Sequence, residues 1–261
     1  PKTQAETGYE FDKWKIGDQE FPTEAKKYTD NTTVKGKFTK LPDIVPSSDK
    51  QGKPNAKPNG YVTVTFDKGE HGKDITGQTV YYVNPKADPA KTLAEITKPT
   101  VKAETGWKQK KGTDAWDKKD TESITTSITV TAQYEAIDDV IPKTTNDDSE
   151  KPAGYIEVKF STESNGKIKD TDKTEKVLYV NPNKAVVLKG FDPEVKPNTG
   201  FDYAGWDTSI ERAIQYKNND IIKAKYNVKG DVIPQEKTDG TDKPAGYLTV
   251  TFDEGEHGEL S

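Results

Sequence analysis

The stretch Gly60-Tyr-Val-Thr-Val-Thr-Phe-Asp-Lys-Gly-Glu-His-Gly72 occurs three times in this chain with few changes. It returns as Gly154-Tyr-Ile-Glu-Val-Lys-Phe-Ser-Thr-Glu-Ser-Asn-Gly166 and as Gly246-Tyr-Leu-Thr-Val-Thr-Phe-Asp-Glu-Gly-Glu-His-Gly258. Self-similarity at a regular interval is the sequence signature of tandem repeats. The chain is therefore predicted to be a tandem array of one small module.

Two further landmarks recur with this stretch and set the expected boundaries. An Asp-x-x-Pro segment, at 43–46, 139–142 and 231–234, is predicted to close each unit, and a Gly-aromatic pair, at 8–9, 106–107 and 200–201, to open its second half. The predicted division is the second half of one repeat (1–46), two complete repeats (58–142 and 151–234), the start of a further repeat (244–261), and polar, proline-flanked linkers (47–57, 143–150 and 235–243).

The first half of each unit has the pattern of two paired strands. Residues 61–66 alternate between apolar and polar side chains, which is typical of a half-buried strand. The apolar positions predicted to face the core are Val62, Val64 and Phe66. After a turn rich in glycine and charge, residues 79–83 provide the second strand of a hairpin.

A short helix is expected next. Asp88 is a suitable N-cap, and Pro89 is favourable at the first helical position. Leu93 and Ile96 then repeat at helical spacing until Pro99 prevents continuation. In the second complete repeat, residues 183–190 are expected to hold this helix, reduced to a turn or two by two adjacent valines and a glycine.

The second half of each unit is predicted to return to strands. A third strand is expected between Gly106 and Trp116, and a long last strand at 124–134. The order strand, strand, helix, strand, strand favours an α+β class, with tandem β-grasp-like repeats (β-β-α-β-β) joined by short linkers.

These motifs together resemble a known family. A first strand ending Phe-Asp-x-Gly-x-His-Gly, the closing stretch Thr129-Val-Thr-Ala-Gln-Tyr134 and the segment from Gly200 to Trp206 are similar to internalin B-type (Listeria-Bacteroides) repeats of Gram-positive surface proteins. Asn165 in place of histidine and the longer interval from Gly106 to Trp116 depart from that pattern. The resemblance implies β-grasp modules in the stalks of wall-anchored adhesins and invasins, at an extracellular location. It implies no enzymatic activity.

Composition sets limits on partners and compartment. Charged residues make up 32% of the chain, hydrophobic residues 30%, and the formal net charge is −5. The chain has no cysteine, so no disulfide can supplement its small cores. Arg212 is the only arginine, which argues against nucleic-acid recognition because guanine and phosphate contacts depend on arginine. No apolar run approaches the roughly 20 residues of a membrane span, so no membrane insertion is expected.

Few residues suggest chemistry. His71 and His257 occupy matching turns, each beside a glutamate, but the middle copy has Asn165 there and one carboxylate with one histidine does not make a metal set. The linker acids at 138–150 and 238–242 could attract calcium but lack the EF-hand order. A Lys-Asn isopeptide bond at Asn84 or Asn181 finds no matching lysine in the sequence. No catalytic, cofactor or metal site is predicted.

Two sets of residues are singled out as functional or structural candidates. One tryptophan per unit is predicted to anchor the core, although a ladder for stacking sugars is an alternative; these residues are Trp14, Trp116 and Trp206. The extended loop of the first complete repeat is the candidate partner contact, with Gln109, Lys110, Lys111, Thr113 and Asp114.

The leading functional hypothesis is a non-catalytic stalk or spacer of a cell-wall-attached adhesin, with adjacent repeats of the same chain as neighbours and weak multivalent contacts to a host extracellular protein. One alternative is a module that binds a host protein directly, such as immunoglobulin or a matrix protein, through a sheet edge or the 109–114 loop. A second is the noncatalytic repeat region of a large secreted hydrolase.

Overall fold

The computed structural model describes residues 2–22, 24, 26–145, 147, 149–236, 240–241, 243–244, 246–256 and 258. The chain divides into two compact units, Pro1–Ile137 and Asp138–Ser261. In both, nearly all of the regular secondary structure consists of short β-strands.

The first unit contains a three-stranded sheet in the order β2-β1-β3, a four-stranded sheet in the order β10-β5-β7-β4, and two strand pairs, β6-β8 and β9-β11. Its strands are β1 (Tyr9–Ile16), β2 (Gln19–Glu20), β3 (Lys35–Lys40), β4 (Ile44–Pro46), β5 (Val62–Asp67), β6 (Gly72–Thr76), β7 (Val80–Val83), β8 (Thr100–Ala103), β9 (Trp107–Gln109), β10 (Ile128–Thr131) and β11 (Tyr134–Ala136).

The second unit contains a five-stranded sheet in the order β12-β15-β13-β18-β17 and one strand pair, β14-β16. Its strands are β12 (Val140–Pro142), β13 (Ile156–Ser161), β14 (Gly166–Ile168), β15 (Glu175–Val180), β16 (Val195–Pro197), β17 (Phe201–Trp206) and β18 (Asp220–Val228).

The predicted first strand is the centre of each main sheet. Strand β5 pairs antiparallel with β7 and parallel with β10, and β13 has the same two kinds of neighbour in β15 and β18. Val64 and Phe66 are buried and Val62 packs against the same cluster, so the predicted core face is confirmed. Because this segment has a strand on each edge, its backbone N–H and C=O groups are hydrogen-bonded. Because one face is covered, its apolar side chains are buried against their neighbours.

The predicted α+β class is wrong, because the described residues contain no α-helix. The part of the chain that the structure describes has three 3₁₀ turns, at Leu93–Glu95, Gly112–Asp114 and Glu163–Asn165. In the first complete repeat, the expected helix stops after one turn. The Ala94 amide donates to the Asp120 carbonyl and the Ile124 amide to the Lys91 carbonyl, so these backbone groups bind another segment instead of a helical turn.

The second expected helix, at 183–190, is absent: the segment has a turn at each end and an isolated β-bridge at Val186. Val186 and Ile214 exchange two backbone hydrogen bonds, 2.9 and 3.0 Å long, and the Leu188 amide donates to the Ile210 carbonyl at 3.1 Å. Leu188 is fully buried. The physical reason is that β-branched residues have low helix propensity and fit extended backbone well. Tertiary pairing and burial therefore prevail over a weak helical signal.

The first two Asp-x-x-Pro segments, at 43–46 and 139–142, lie in the sheet that follows them, not in the unit they were expected to close. Strand β4 pairs antiparallel with β7, and β12 pairs antiparallel with β15. The boundary between the two compact units accordingly falls between Ile137 and Asp138. It follows that residues 47–57 connect two strands of one sheet, β4 and β5, and do not separate repeats.

Candidate functional site

The most elaborate polar arrangement in the described residues is the joint where one repeat ends and the next begins. In the first unit, only Leu41, Pro42 and Asp43 separate β3, the last strand of the first half-repeat, from β4. The Leu41 amide donates to the Gly8 carbonyl at 2.8 Å, which ties the end of β3 back to the start of β1. The bonds Ile137 N to Gly106 O (2.9 Å) and Lys229 N to Gly200 O (2.8 Å) repeat this contact.

An aspartate and a buried asparagine form the centre of the joint. The Asn84 backbone amide donates to the Asp43 carbonyl at 2.8 Å. The Asn84 side-chain Nδ2 donates to Asp43 Oδ1, also at 2.8 Å. Asn84 is 5% exposed, and its Oδ1 accepts from the Lys86 amide. Both ends of a buried amide are thus satisfied, as burial requires.

The same clamp occurs in the second unit. The Asn181 backbone amide and Nδ2 donate to the Asp139 carbonyl and Oδ1, each at 2.9 Å, and Asn181 is 2% exposed. The Lys184 ammonium also lies 2.9 Å from Asp139 Oδ2. These contacts are an ion pair and hydrogen bonds to a carboxylate. They account for Asn84 and Asn181 without a covalent bond to lysine.

A tyrosine adds a second bond at each joint. Tyr61 Oη donates to the Pro42 carbonyl at 3.0 Å, and Tyr155 Oη donates to the Asp138 carbonyl at 2.9 Å. Tyr247 Oη donates to the Gly230 carbonyl at 2.9 Å. In each case the acceptor is the residue directly before the aspartate of the Asp-x-x-Pro segment. The tyrosine of the recurring Gly-Tyr pair therefore fixes the start of that segment.

Electrostatics keep these groups in their hydrogen-bonding forms. Burial, reinforced by Asp139 and Asp138, raises the pKa of Tyr155 to about 12, so the phenol remains a donor at neutral pH. Burial tends to raise the pKa of Asp139, but hydrogen bonds from Lys184 and Asn181 outweigh it and the net pKa is below its ordinary value. The carboxylate is therefore ionised at neutral pH and accepts from both partners.

Glycine is required where the preceding half-repeat meets the joint. Gly60 has φ +76°, in the left-handed region, and a Cβ there would collide with the Thr7 side chain. Gly246 has φ +87°, and a Cβ there would collide with the Thr199 side chain in the same way. Thr7 and Thr199 each directly precede a Gly-aromatic pair, so one recurring motif packs on the other.

The predicted core anchors differ in burial. Trp116 is buried, with its ring 5.2 Å from that of Phe66. Trp206 is half-buried and packs 4.7 Å from the Phe160 ring. Trp14 is half-buried, 5.3 Å from Phe11. All three tryptophans make aromatic contacts, but only Trp116 lies in the closed core.

The structure places the candidate partner residues together on one short loop after β9. Lys110, Lys111, Thr113 and Asp114 are exposed, and Gly112–Asp114 forms a 3₁₀ turn. Gln109 is half-buried, and its Nε2 donates to the Ala115 carbonyl at 3.1 Å. Gln109 therefore anchors the loop, and the other four side chains are accessible.

His71 has a packing contact. Its ring lies flat on Trp107, with centroids 3.4 Å apart and planes 7° from parallel. Nearby, Tyr134 Oη donates to the Lys68 carbonyl at 2.7 Å, and a Cβ on Gly72 would lie 2.8 Å from Tyr134 Oη. His257 lies outside the described residues.

The tyrosine that closes this turn recurs in the second unit and was missed in the sequence. Tyr226 Oη donates to the Thr162 carbonyl at 2.8 Å, and a Cβ on Gly166 would lie 2.5 Å from the phenol. The last-strand tyrosine and the turn glycine occur together in both complete repeats. That shared recurrence was the available signal.

The linker acids mostly hold their own turns. Asp147 Oδ1 accepts from the Ser149 amide at 3.0 Å, and Glu150 accepts from the Thr144 and Thr145 amides. Asp148 and residues 237–239 and 242 lie outside the described part. Within the described part, no cluster of three or more His, Asp or Glu side chains could hold a metal ion.

Comparison of the chain with protein-family models, curated proteins and solved structures gives no match. In the described part of the chain, no helix is long and apolar enough to cross a membrane.

Proposed function

We propose that this chain is a non-catalytic spacer of a bacterial cell-wall-attached surface adhesin, in which tandem repeats hold a binding head away from the wall. The observation that carries the proposal is the joint between residues 2–41 and the following repeat. Three residues connect β3 to β4, and the Asp43–Asn84 and Tyr61–Pro42 hydrogen bonds fix them. Such a joint restricts the angle between neighbours, unlike a flexible polar linker.

The buried polar side chains support the same conclusion. Asn84 and Asn181 bind the aspartates of the joints, Thr162 Oγ1 donates to the Gly166 carbonyl at 2.8 Å, and Ser161 Oγ accepts from the Glu163 amide. These groups fix strand ends and turns. The buried polar side chains of each repeat therefore hold its strands and turns in place. This is expected of an array whose length grows with copy number.

The proposal implies an extracellular location at the surface of a Gram-positive bacterium. It also implies that the main neighbours of a repeat are the adjacent repeats of its own chain.

A length-matched replacement tests the proposal. The full chain would be displayed on bacteria between a nanobody head and a wall anchor, and capture of antigen-coated beads would be measured. Deleting residues 43–138 should reduce capture, and inserting an unrelated folded spacer of equal length should restore it. Failure of the unrelated spacer to restore capture would contradict a purely geometric role.

A second candidate function, direct binding of a host extracellular protein, is favoured by one observation. The 109–114 loop is longer than its counterparts in the other copies and presents four accessible side chains. Binding of the full chain to immobilised immunoglobulin and matrix proteins would be compared with a variant carrying Lys110→Ala, Lys111→Ala and Asp114→Ala. Binding lost in that variant would support this candidate.

A further inference from the structure

The dipeptide Asn-Gly occurs twice in this chain, at Asn59-Gly60 and at Asn165-Gly166. In such a dipeptide the backbone nitrogen of the glycine can attack Cγ of the asparagine, because glycine has no Cβ to hinder the approach. A bond from Cγ to the glycine nitrogen forms, the bond from Cγ to Nδ2 breaks, and the glycine amide proton leaves with Nδ2 as ammonia. Water then opens the cyclic imide to aspartate or isoaspartate. Asparagine is accordingly one of the thermolabile residue types.

The first of these sites is held only loosely. Asn59 and Gly60 are exposed and form the middle of a turn, in which the Tyr61 amide donates to the Pro58 carbonyl at 3.2 Å. In the part of the chain that the structure describes, neither Asn59 nor Gly60 makes a hydrogen bond. No bond therefore has to break before the Gly60 nitrogen approaches the Asn59 side chain.

The second site is fixed on both sides of the reacting nitrogen. Asn165 is half-buried and Gly166 is buried. The Asn165 carbonyl accepts from the Asn198 amide at 2.9 Å. The Gly166 carbonyl accepts from Thr162 Oγ1 at 2.8 Å, and Asn165 Oδ1 accepts from Ser164 Oγ at 3.3 Å. These bonds resist the rotation that would bring the nitrogen to Cγ.

The reactive site also lies at the joint of the first complete repeat. Gly60 packs so closely on Thr7 that a Cβ would lie 2.3 Å from Thr7 Oγ1. The next residue, Tyr61, donates to the Pro42 carbonyl. Isoaspartate carries the peptide bond on its side-chain carbon, so it lengthens the main chain by one carbon–carbon bond, about 1.5 Å. This extra length cannot be accommodated between Asn59 and Gly60 without disturbing one of the two contacts.

We propose that Asn59 is a self-modifying site, which deamidates to aspartate and isoaspartate without an enzyme and thereby loosens the joint of the first complete repeat as the protein ages. The other two copies have Ala153 and Ala245 at the equivalent position, and alanine cannot form the imide. Ageing by this reaction is therefore confined to one joint. This inference does not depend on the spacer function.

The test follows the folded full chain during several weeks at neutral pH and body temperature, by mass spectrometry of its peptides. The peptide that contains Asn59 should gain about 1 Da as its amide becomes an acid, and isoaspartyl methyltransferase should label it. Conversion should be about tenfold or more faster at Asn59 than at Asn165. In concentrated guanidinium chloride the two sites should react at similar rates, because only the folded chain distinguishes them.

Asn59→Ala is the matched control, because it introduces the residue of the other two copies. Asn59 is exposed and makes no hydrogen bond in the described part of the chain, so the variant should fold as the wild type does. The aged wild type should lose hydrogen-exchange protection at residues 41–46, and the aged variant should keep it.

Two results would overturn the proposal at the chemical step: no gain of mass at Asn59, or equal rates at Asn59 and Asn165 in the folded chain. Full protection of residues 41–46 in a chain converted to isoaspartate would overturn the effect on the joint.

Discussion

Residues 61–66 and 247–252 differ at one position, Val62 against Leu248, yet they have different structures. The first segment forms strand β5, in which Val64 and Phe66 are 0% and 3% exposed. The second forms no strand, and Val250 and Phe252 are 75% and 78% exposed. Intrinsic propensity cannot explain the difference, because the residues are nearly the same.

The difference lies in the neighbours. Strand β5 has β7 on one edge and β10 on the other, whereas no strand accompanies 247–252 in the described part of the chain. Strand preference mainly reflects packing against cross-strand partners. The tyrosine bond at the joint is present in both cases, so this local contact does not need the sheet. The tyrosine bond therefore forms in this structure both with and without paired strands beside it.

The largest expected contrast is between Phe66→Ala and Phe252→Ala. Phe66 packs against Tyr81 and Trp116 in the core, so its truncation should cost about 3–5 kcal/mol of unfolding free energy. Phe252→Ala should change stability by less than about 0.5 kcal/mol. Urea denaturation followed by tryptophan fluorescence measures both. Equal losses would show that residues 247–252 are packed in solution.

Removing the aspartate of a joint should have the next largest effect. Asp43→Ala leaves the buried Nδ2 of Asn84 without its acceptor, which should cost about 1–3 kcal/mol. Asp231 is exposed, so Asp231→Ala should leave the unfolding free energy unchanged. The same denaturation experiment checks the pair. If Asp43→Ala left the free energy of unfolding unchanged, water would be replacing the carboxylate as the acceptor for Asn84.

The phenol bonds should contribute less. Tyr61→Phe removes one hydrogen bond to the Pro42 carbonyl and should cost about 0.5–1.5 kcal/mol. Tyr247→Phe should cost less, because that bond is exposed and water can replace the phenol. Hydrogen exchange at the amides of residues 41–46 would report the loosened joint. Unchanged protection in Tyr61→Phe would contradict the role given to this tyrosine.

The smallest effect is a pH dependence. The pKa of Asp139 in the folded chain is lower than its ordinary value of 3.8. The stability that the ionised carboxylate contributes is therefore fully present above the ordinary pKa, and it is lost as the pH falls through the lower, folded-state pKa. The stability difference between wild type and Asp139→Asn should therefore shrink in that acidic range. Thermal unfolding between pH 6 and about pH 2 measures it. A constant difference would contradict the assignment.

The sequence allowed the repeated architecture and the central strands to be predicted, because alternation and recurrence are local properties. It did not allow the helices at 88–98 and 183–190 to be excluded. In those segments, pairing with residues 120–124 and with Ile210 and Ile214 decided the backbone. Such pairing partners are distant in the chain and leave no periodic signal.

The joint was only partly visible in the sequence. Asp43, Tyr61 and Asn84 each belong to recurring motifs, but the Asp-x-x-Pro motif was expected to close a repeat, and Asn84 was considered only for a bond to lysine. Nothing in their spacing indicates that an Asp-x-x-Pro segment crosses into the next sheet. The functional predictions of a spacer, an extracellular location and a host partner remain predictions.

The sequence by itself determined that one stretch recurs three times, which of its positions are apolar, and where glycine and proline interrupt the predicted strands. Tertiary structure alone decided which strands pair, that the expected α-helices do not form, and that the first two Asp-x-x-Pro segments lie in the sheet that follows them. The physical reason is that hydrogen bonds between strands depend on neighbours brought together by folding.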